Sequence, residues 1–253
     1  MRLTMLAGIG GLRMRAERTV RLMRERKATE VRAEPRWHAS LAVLGAVALY
    51  ITLPPRLTIG PVWVAPLLVL LVLVPLSILA PRRHGDTRRI RFASILLIAI
   101  VNFFNLTSVL LLVSSLFHPE RGPTHSAASL LRNGLQIWLT NILVFALWYW
   151  ELDGDGPGKR AQADAATDVQ NADFLFPQMQ MAISGKATPP CIDPNWKPQF
   201  YDYLYLSFTD STAFSPADVM PLTRWAKALM TVEALISLIT IAIVLARSIS
   251  VIS

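Results

Sequence analysis

The sequence has few charged residues, a single cysteine and long uncharged stretches. Charged residues make up 17% of the 253 residues, against about a quarter in a soluble domain. Cys191 has no second cysteine to pair with, which excludes an intramolecular disulfide and a disulfide-stapled secreted fold. Hydrophobic residues reach 53% and the mean hydropathy is +0.42, which excludes a soluble globular enzyme and a disordered chain. The composition predicts an all-α integral membrane protein.

Motifs for enzymatic or metal chemistry are also lacking. The chain has no Ser-His-Asp arrangement, glycine-rich phosphate loop or metalloprotease pattern. Asp153-Gly154-Asp155-Gly156 resembles the start of a calcium loop, but the bidentate glutamate expected at the twelfth position does not follow. We therefore predict a protein that is not an enzyme and that holds no cofactor or resident metal.

Basic residues are concentrated in two places. Ten of the 25 lysines and arginines lie in residues 1–36, and five more arginines lie in residues 82–91. Both clusters flank apolar segments, so the positive-inside rule explains them better than nucleic-acid binding does. We predict a multi-pass protein of a bacterial inner (plasma) membrane with a cytoplasmic N-terminus. Residues 1–36 form either an interfacial helix on anionic lipid headgroups or a solvated arm.

Apolar segments divide the rest of the chain. Five are near the ~20 residues that cross a bilayer, namely 37–53, 62–80, 92–117, 130–150 and 229–245. This gives a basic arm (1–36), a four-helix transmembrane region (37–151), a polar loop region (152–200), and a pore-like loop with the last transmembrane helix (201–253). The expected fold has about five transmembrane helices plus a re-entrant helix before the last span.

The segment 201–223 carries the strongest functional signal. Its first half, up to Thr212, is amphipathic and aromatic but too short to cross a membrane as a helix. Residues 212–221 contain small residues, prolines and an aspartate, which no regular helix favours. A short helix, an irregular return and a full span together predict a re-entrant loop. Irregular backbone at membrane depth occurs only where protein buries it or where it lines a watery cavity.

The same segment resembles the pore loop and inner helix of the tetrameric potassium-channel superfamily. That family's filter reads Thr-Thr-Val-Gly-Tyr-Gly-Asp, followed by an apolar residue, a variable residue, Pro, an apolar residue and Thr. Thr212, Asp218, Pro221 and Thr223 match in register, and Glu233 falls where many inner helices carry a glutamate. The resemblance covers roughly residues 201–247. It implies a tetramer in which residues 212–218 line an ion pathway, and the residues concerned are Thr212, Ala213, Phe214, Ser215, Pro216, Ala217 and Asp218.

The filter departs from the family pattern at its glycines. Ser215 and Ala217 occupy both glycine positions, and Pro216 lies between them. A ladder of inward carbonyls needs backbone freedom that glycine has and proline lacks. Thr212, Ser215 and Asp218 can still ring a wider, partly hydrated path for monovalent cations. We predict passive cation permeation through a homo-oligomer in the lipid bilayer, for which the resemblance favours a tetramer. The alternatives are a non-conducting membrane scaffold or partner protein and, disfavoured by the missing inverted repeat, a secondary transporter.

Polar residues inside the apolar segments give further expectations. Glu233 is costly to bury, so it is expected either on the ion pathway or paired with Arg224, Lys227 or a neighbouring subunit. Asn102, Asn105 and Asn141 are expected to hydrogen-bond between helices, as polar residues in membrane helices commonly do; the alternative is that they line the pore. With the basic clusters inside, five crossings make the pore-like loop enter from the cytoplasmic side, opposite to potassium channels. The alternative is that segment 37–53 or another apolar segment does not cross the membrane.

Overall fold

The computed structural model describes residues 36–79, 87–117, 127–162, 170–184, 196–212 and 218–252, and these residues are almost entirely helical. In chain order the elements are α1 (Trp37–Ile51), α2 (Val64–Leu79), α3 (Thr87–Phe117), α4 (Ala127–Leu152), α5 (Pro157–Gln162), β1 (Phe174–Leu175), α6 (Pro177–Ile183), α7 (Phe200–Thr212), β2 (Met220–Pro221) and α8 (Arg224–Ile252). Two 3₁₀ turns, Pro55–Leu57 and Asp153–Asp155, follow α1 and α4.

Three of the described helices are long and apolar enough to cross a membrane, at Arg88–Ser115, Ala128–Asp155 and Arg224–Ala246. They correspond to the third, fourth and fifth apolar segments of the sequence. The first two segments also form apolar helices, but α1 has 15 residues and α2 has 16, which at 1.5 Å per residue gives a length of about 22–24 Å. The expected class, an all-α membrane protein, agrees with this architecture.

Helix α4 lies at the centre of the bundle. It packs against α1, α3, α7 and α8, and its residues Ile137, Val144 and Ala146 are completely buried. The surrounding helices turn large apolar side chains outward instead, such as Phe103 of α3 at 60% exposure and Leu238 of α8 at 54%. An apolar exterior around a packed interior is the arrangement that a lipid environment favours.

A chain of amide and hydroxyl groups joins three of the helices. Asn105 Nδ2 of α3 donates to Asn141 Oδ1 of α4 at 3.3 Å, and Asn141 Nδ2 donates to Ser237 Oγ of α8 at 3.0 Å. All three side chains are buried, where unpaired polar groups are costly. The interhelical role expected for Asn105 and Asn141 is therefore confirmed. Asn102 does not follow them, because its Oδ1 is buried without a hydrogen-bond partner among the described residues.

The beginnings of α1 and α3 lie beside the end of α4. Arg36, just before α1, donates to Ser94 Oγ of α3 at 3.3 Å, and its guanidinium stands 5.8 Å from the ring centroid of Trp150. Arg91 of α3 forms an ion pair of 3.0 Å with Asp155, just past α4. We call this end of the bundle, marked by Arg36, Arg91 and Asp155, the basic end.

A close approach between α4 and α8 depends on Gly134. A Cβ atom at this position would lie 2.1 Å from Val244 Cγ2, and the β-branched valine has little rotamer freedom with which to move away. We expect Gly134→Ala to destabilise the bundle by about 1–3 kcal/mol, measured as the thermal midpoint of the detergent-purified protein. Adding Val244→Ala should restore part of the loss. Gly45→Ala, whose Cβ would meet Leu143 Cδ1 at 3.4 Å, is the matched control; an equal loss there would contradict the packing explanation.

Candidate functional site

The turn after α4 is folded around the carboxylate of Asp153. Gly154 and Gly156 have φ angles of 54° and 97°, a region that L side chains rarely occupy, and they let the chain reverse sharply. Asp153 Oδ1 accepts hydrogen bonds from the backbone N–H groups of Asp173 at 2.7 Å and Phe174 at 3.3 Å. Its Oδ2 accepts the hydroxyl of Tyr203 in α7 at 2.5 Å. One buried carboxylate therefore holds the turn, β1 and α7 together.

Arg160 stabilises the same turn through hydrogen bonds to its backbone carbonyl groups. It is 4% exposed, and its Nη1 donates to the carbonyl oxygens of Trp150 at 2.8 Å and Asp153 at 2.5 Å. These carbonyls belong to the end of α4, where the helix leaves its last acceptors unpaired. The guanidinium also stands 5.1 Å from the ring centroid of Tyr203. Arg160 therefore caps α4 and positions the tyrosine that binds Asp153.

The two-stranded ribbon fixes the far end of the predicted filter loop. β1 and β2 pair antiparallel, with Phe174 opposite Pro221 and Leu175 opposite Met220. The N–H of Leu222 donates to the carbonyl of Asp173 at 2.8 Å. Since Asp173 is also bound by Asp153, the chain that follows the loop returns to the end of α4.

Helix α7 runs beside α4 in the opposite direction. Near its start, the ring of Phe200 contacts that of Trp150 with centroids 6.1 Å apart. Further on, Ser207 Oγ lies 2.8 Å from the carbonyl oxygen of Ile142, and the Phe208 ring lies 6.1 Å from that of Trp138. α7 thus begins at the basic end and ends at Thr212, next to the middle of α4.

A completely buried glutamate joins α7 to α8. Glu233 Oε1 accepts hydrogen bonds from the hydroxyls of Ser207 and Ser211, the latter at 2.8 Å, and Oε2 accepts one from Tyr149 of α4. The Tyr149 hydroxyl also lies 3.5 Å from Asp210 Oδ2. We call Tyr149, Ser207, Asp210, Ser211 and Glu233 the Glu233 cluster.

The partners of Glu233 differ from those expected. Arg224 and Lys227 are exposed, and in the described part of the chain hydroxyl groups of α4 and α7 satisfy the carboxyl instead. Neutral donors suffice because hydroxyl–carboxylate hydrogen bonds can offset desolvation without a second charge.

The structure places only the two ends of the predicted filter. Thr212 is the last residue of α7, and its Oγ1 donates to the carbonyl of Thr209 at 2.9 Å. Asp218 is exposed, two residues before β2. Residues 213–217, with Ala213, Phe214, Ser215, Pro216 and Ala217, lie outside the described residues, as does Cys191. Among the residues that are described, no group of three or more His, Cys, Asp or Glu side chains is arranged to hold a metal.

Several residues of the site were missed from the sequence. Asp153 stands out in the sequence only within a calcium-loop pattern, and Tyr149 only as one residue of the apolar segment 130–150. Tyr203, Ser207 and Ser211 recur every four residues on α7, which places them on one helical face. That spacing was the available signal for a polar stripe facing the bundle.

Comparison of the chain with protein-family models, with curated proteins and with solved structures finds no match.

The bond between Asp153 and Tyr203 can be tested with a double-mutant cycle. Tyr203→Phe removes one hydroxyl and Asp153→Asn replaces its acceptor oxygen by a donor, so each should cost about 1–3 kcal/mol of stability. The double variant should cost clearly less than the sum, measured by denaturation in detergent. Tyr205→Phe, at a tyrosine that is 55% exposed two residues further on, should have no effect. Additive losses would show that the two residues act independently.

Proposed function

We propose that the protein forms an oligomeric, channel-like pathway for monovalent cations, in which α7 is a re-entrant pore helix and α8 is the inner helix. The observation that carries this proposal is where α7 ends and where β2 begins, on either side of residues 213–217. α7 starts at the basic end and stops beside the middle of α4, while β2 and the start of α8 lie back at the end of α4 through their contacts with β1. α1 and α2 are then two further, short crossings, which gives five spans.

The direction of α7 favours a cation over an anion. The C-terminal end of a helix carries a partial negative charge of about half a unit. In a re-entrant arrangement, this end, at Thr212, points into the membrane, where the low dielectric strengthens its effect. The carboxylate of Asp218 adds negative charge at the entrance. Thr212 and Ser215 hydroxyls supply oxygen ligands of the type that monovalent cations accept.

The residues at the filter glycine positions oppose sharp potassium selectivity. Ser215, Pro216 and Ala217 do not provide the backbone freedom that a ladder of four inward carbonyls requires. A partly hydrated ion that is selected mainly by charge is the pathway that these side chains support. Discrimination between potassium and sodium is therefore expected to be weak.

A single loop cannot surround an ion, so the pathway requires several copies of the chain. The resemblance to tetrameric channels favours four. The outward face of α7 carries Tyr201, Tyr205 and Phe208 at 59%, 55% and 48% exposure, and neighbouring copies or lipid would cover these rings. We place the basic end, and hence the entrance of the loop, on the cytoplasmic face of a bacterial inner membrane, following the positive-inside rule.

The direct test measures cation flux into proteoliposomes that contain the purified protein, with potassium, with sodium and with empty liposomes as the blank. We expect flux of both ions, and a several-fold lower flux for Asp218→Asn, because a ring of carboxylates raises the local cation concentration at the entrance.

Asp155→Asn is the matched control for the flux assay. Its carboxylate is exposed but already paired with Arg91 and Lys159 at 3.0 and 2.7 Å, so its loss should leave the flux unchanged. A folded, oligomeric protein without flux above the blank would contradict the pore and favour the non-conducting scaffold. Flux that requires a second ion gradient would favour the transporter.

The re-entrant path can be tested separately with an impermeant thiol reagent in oriented membranes. In a Cys191→Ser background, Lys159→Cys and Asp218→Cys should be labelled from the same side, since both lie at the basic end. Ile59→Cys, in the connection between α1 and α2, should be labelled from the opposite side. Labelling of the Asp218→Cys variant from the side opposite to Lys159→Cys would mean that α7 crosses the membrane rather than returning.

A further inference from the structure

The hydroxyl of Tyr149 lies between two carboxyl groups. It contacts Glu233 Oε2 of α8 on one side and Asp210 Oδ2 of α7, at 3.5 Å, on the other. The tyrosine is completely buried, and its ring is held edge-on by Phe174, with centroids 5.1 Å apart. The hydroxyl is therefore fixed in position between the two acids.

The Tyr149 hydroxyl has too few hydrogens to donate to both carboxyl groups. A tyrosine hydroxyl carries one hydrogen, and ionised carboxylates only accept. Tyr149 can donate to Glu233 or to Asp210, but not to both. For both contacts to be hydrogen bonds, a second hydrogen must reside on one of the two carboxyl groups. The geometry thus calls for one more proton than two ionised acids would hold.

The surroundings of the two acids favour the same conclusion. Around Glu233, α4 contributes Tyr149 and α7 contributes Ser207, Ser211 and Asp210. On α8 itself, the basic residues nearest in sequence, Arg224 and Lys227, are exposed. Among the described residues, no cation forms an ion pair with Glu233 or Asp210. Two carboxyl groups close together in an apolar setting resist being ionised at the same time.

Asp210 connects this pair to the surface. It is only partly buried, two residues before the end of α7, whereas Glu233 is completely enclosed. Asp210 is therefore the more accessible of the two carboxyl groups.

We propose that Asp210, Tyr149 and Glu233 form a proton-binding site in which one proton is shared between the two carboxyls through the phenol. In the exchange, the Asp210 Oδ2–H bond breaks and its proton passes to Tyr149 Oη, while the Tyr149 proton passes to Glu233 Oε2. The number of O–H bonds is unchanged, and one negative charge moves from Glu233 to Asp210. Ser207 and Ser211 hold Glu233 Oε1 in both states. The site goes beyond cation permeation and does not require it.

The proton can be detected by infrared difference spectroscopy of the purified full-length protein, titrated in H₂O and D₂O between about pH 4 and 9. The wild type should show the carbonyl band of a protonated carboxyl near neutral pH, shifted by deuterium. Glu233→Gln should remove this band or move it to acid pH, because Asp210 then lacks a second acid with which to share the proton. Asp202→Asn, at another carboxyl of α7, should leave it in place.

Tyr149→Phe provides a second test that keeps both carboxyls. Loss of the bridging hydroxyl should shift the band and its titration midpoint. The proposal is overturned if the wild type shows no protonated carboxyl near neutral pH, or if Glu233→Gln and Tyr149→Phe both leave the band unchanged. The spectra are recorded without any ion gradient, so a failure of the flux assay would not affect this result.

Discussion

Much of the structure at the basic end depends on the carboxylate of Asp153. Its two oxygens accept two backbone amides at β1 and the Tyr203 hydroxyl of α7. The position of β1 determines that of β2 and so the start of α8, while the position of Tyr203 determines how α7 lies on α4. The same carboxylate therefore positions both elements that flank the proposed pore loop, α7 before it and β2 after it. Replacing it by an apolar residue would leave three donors without acceptors, two of them buried and one partly buried, which is far more costly than losing one exposed ion pair.

The helices could be predicted from the sequence because their signal is local. Length and hydropathy identified the apolar helices, and the predicted segment 130–150 agrees with α4 (Ala127–Leu152). The amphipathic stretch that was expected to end at Thr212 forms α7 with that same last residue. The first two segments predicted their helices less closely. Prolines and a glycine in residues 54–61 end α1 early and make α2 begin later than the apolar segment does. Whether these two helices cross the membrane is a matter of partners and lipid, which local hydropathy does not specify.

The polar contacts of the site could not be predicted in the same way. Tyr203 binds Asp153 across 50 residues of sequence, and Tyr149 binds Glu233 across 84. Such pairs depend on how the helices are rotated and packed against one another. A charged residue that is close in sequence therefore does not identify the partner of a buried polar group. Arg224 and Lys227 were among the expected ion-pair partners of Glu233, yet both side chains are exposed near the start of α8. Hydroxyl groups from two other helices bind the carboxyl instead. The repeating stripe of Tyr203, Ser207 and Ser211 was visible in the sequence, but its partner was not.

The order in which the partners of Glu233 occur along the chain has a consequence for biosynthesis. A membrane protein is made from its N-terminus, and earlier segments are available to those that follow. Tyr149, Ser207 and Ser211 all precede Glu233, so every donor of its hydrogen bonds has been synthesised before α8 emerges. A glutamate in the middle of an apolar helix opposes entry into lipid when the helix is alone. Here the helix that carries it arrives after the helices that supply its donors, and it enters beside a binding site that is already complete.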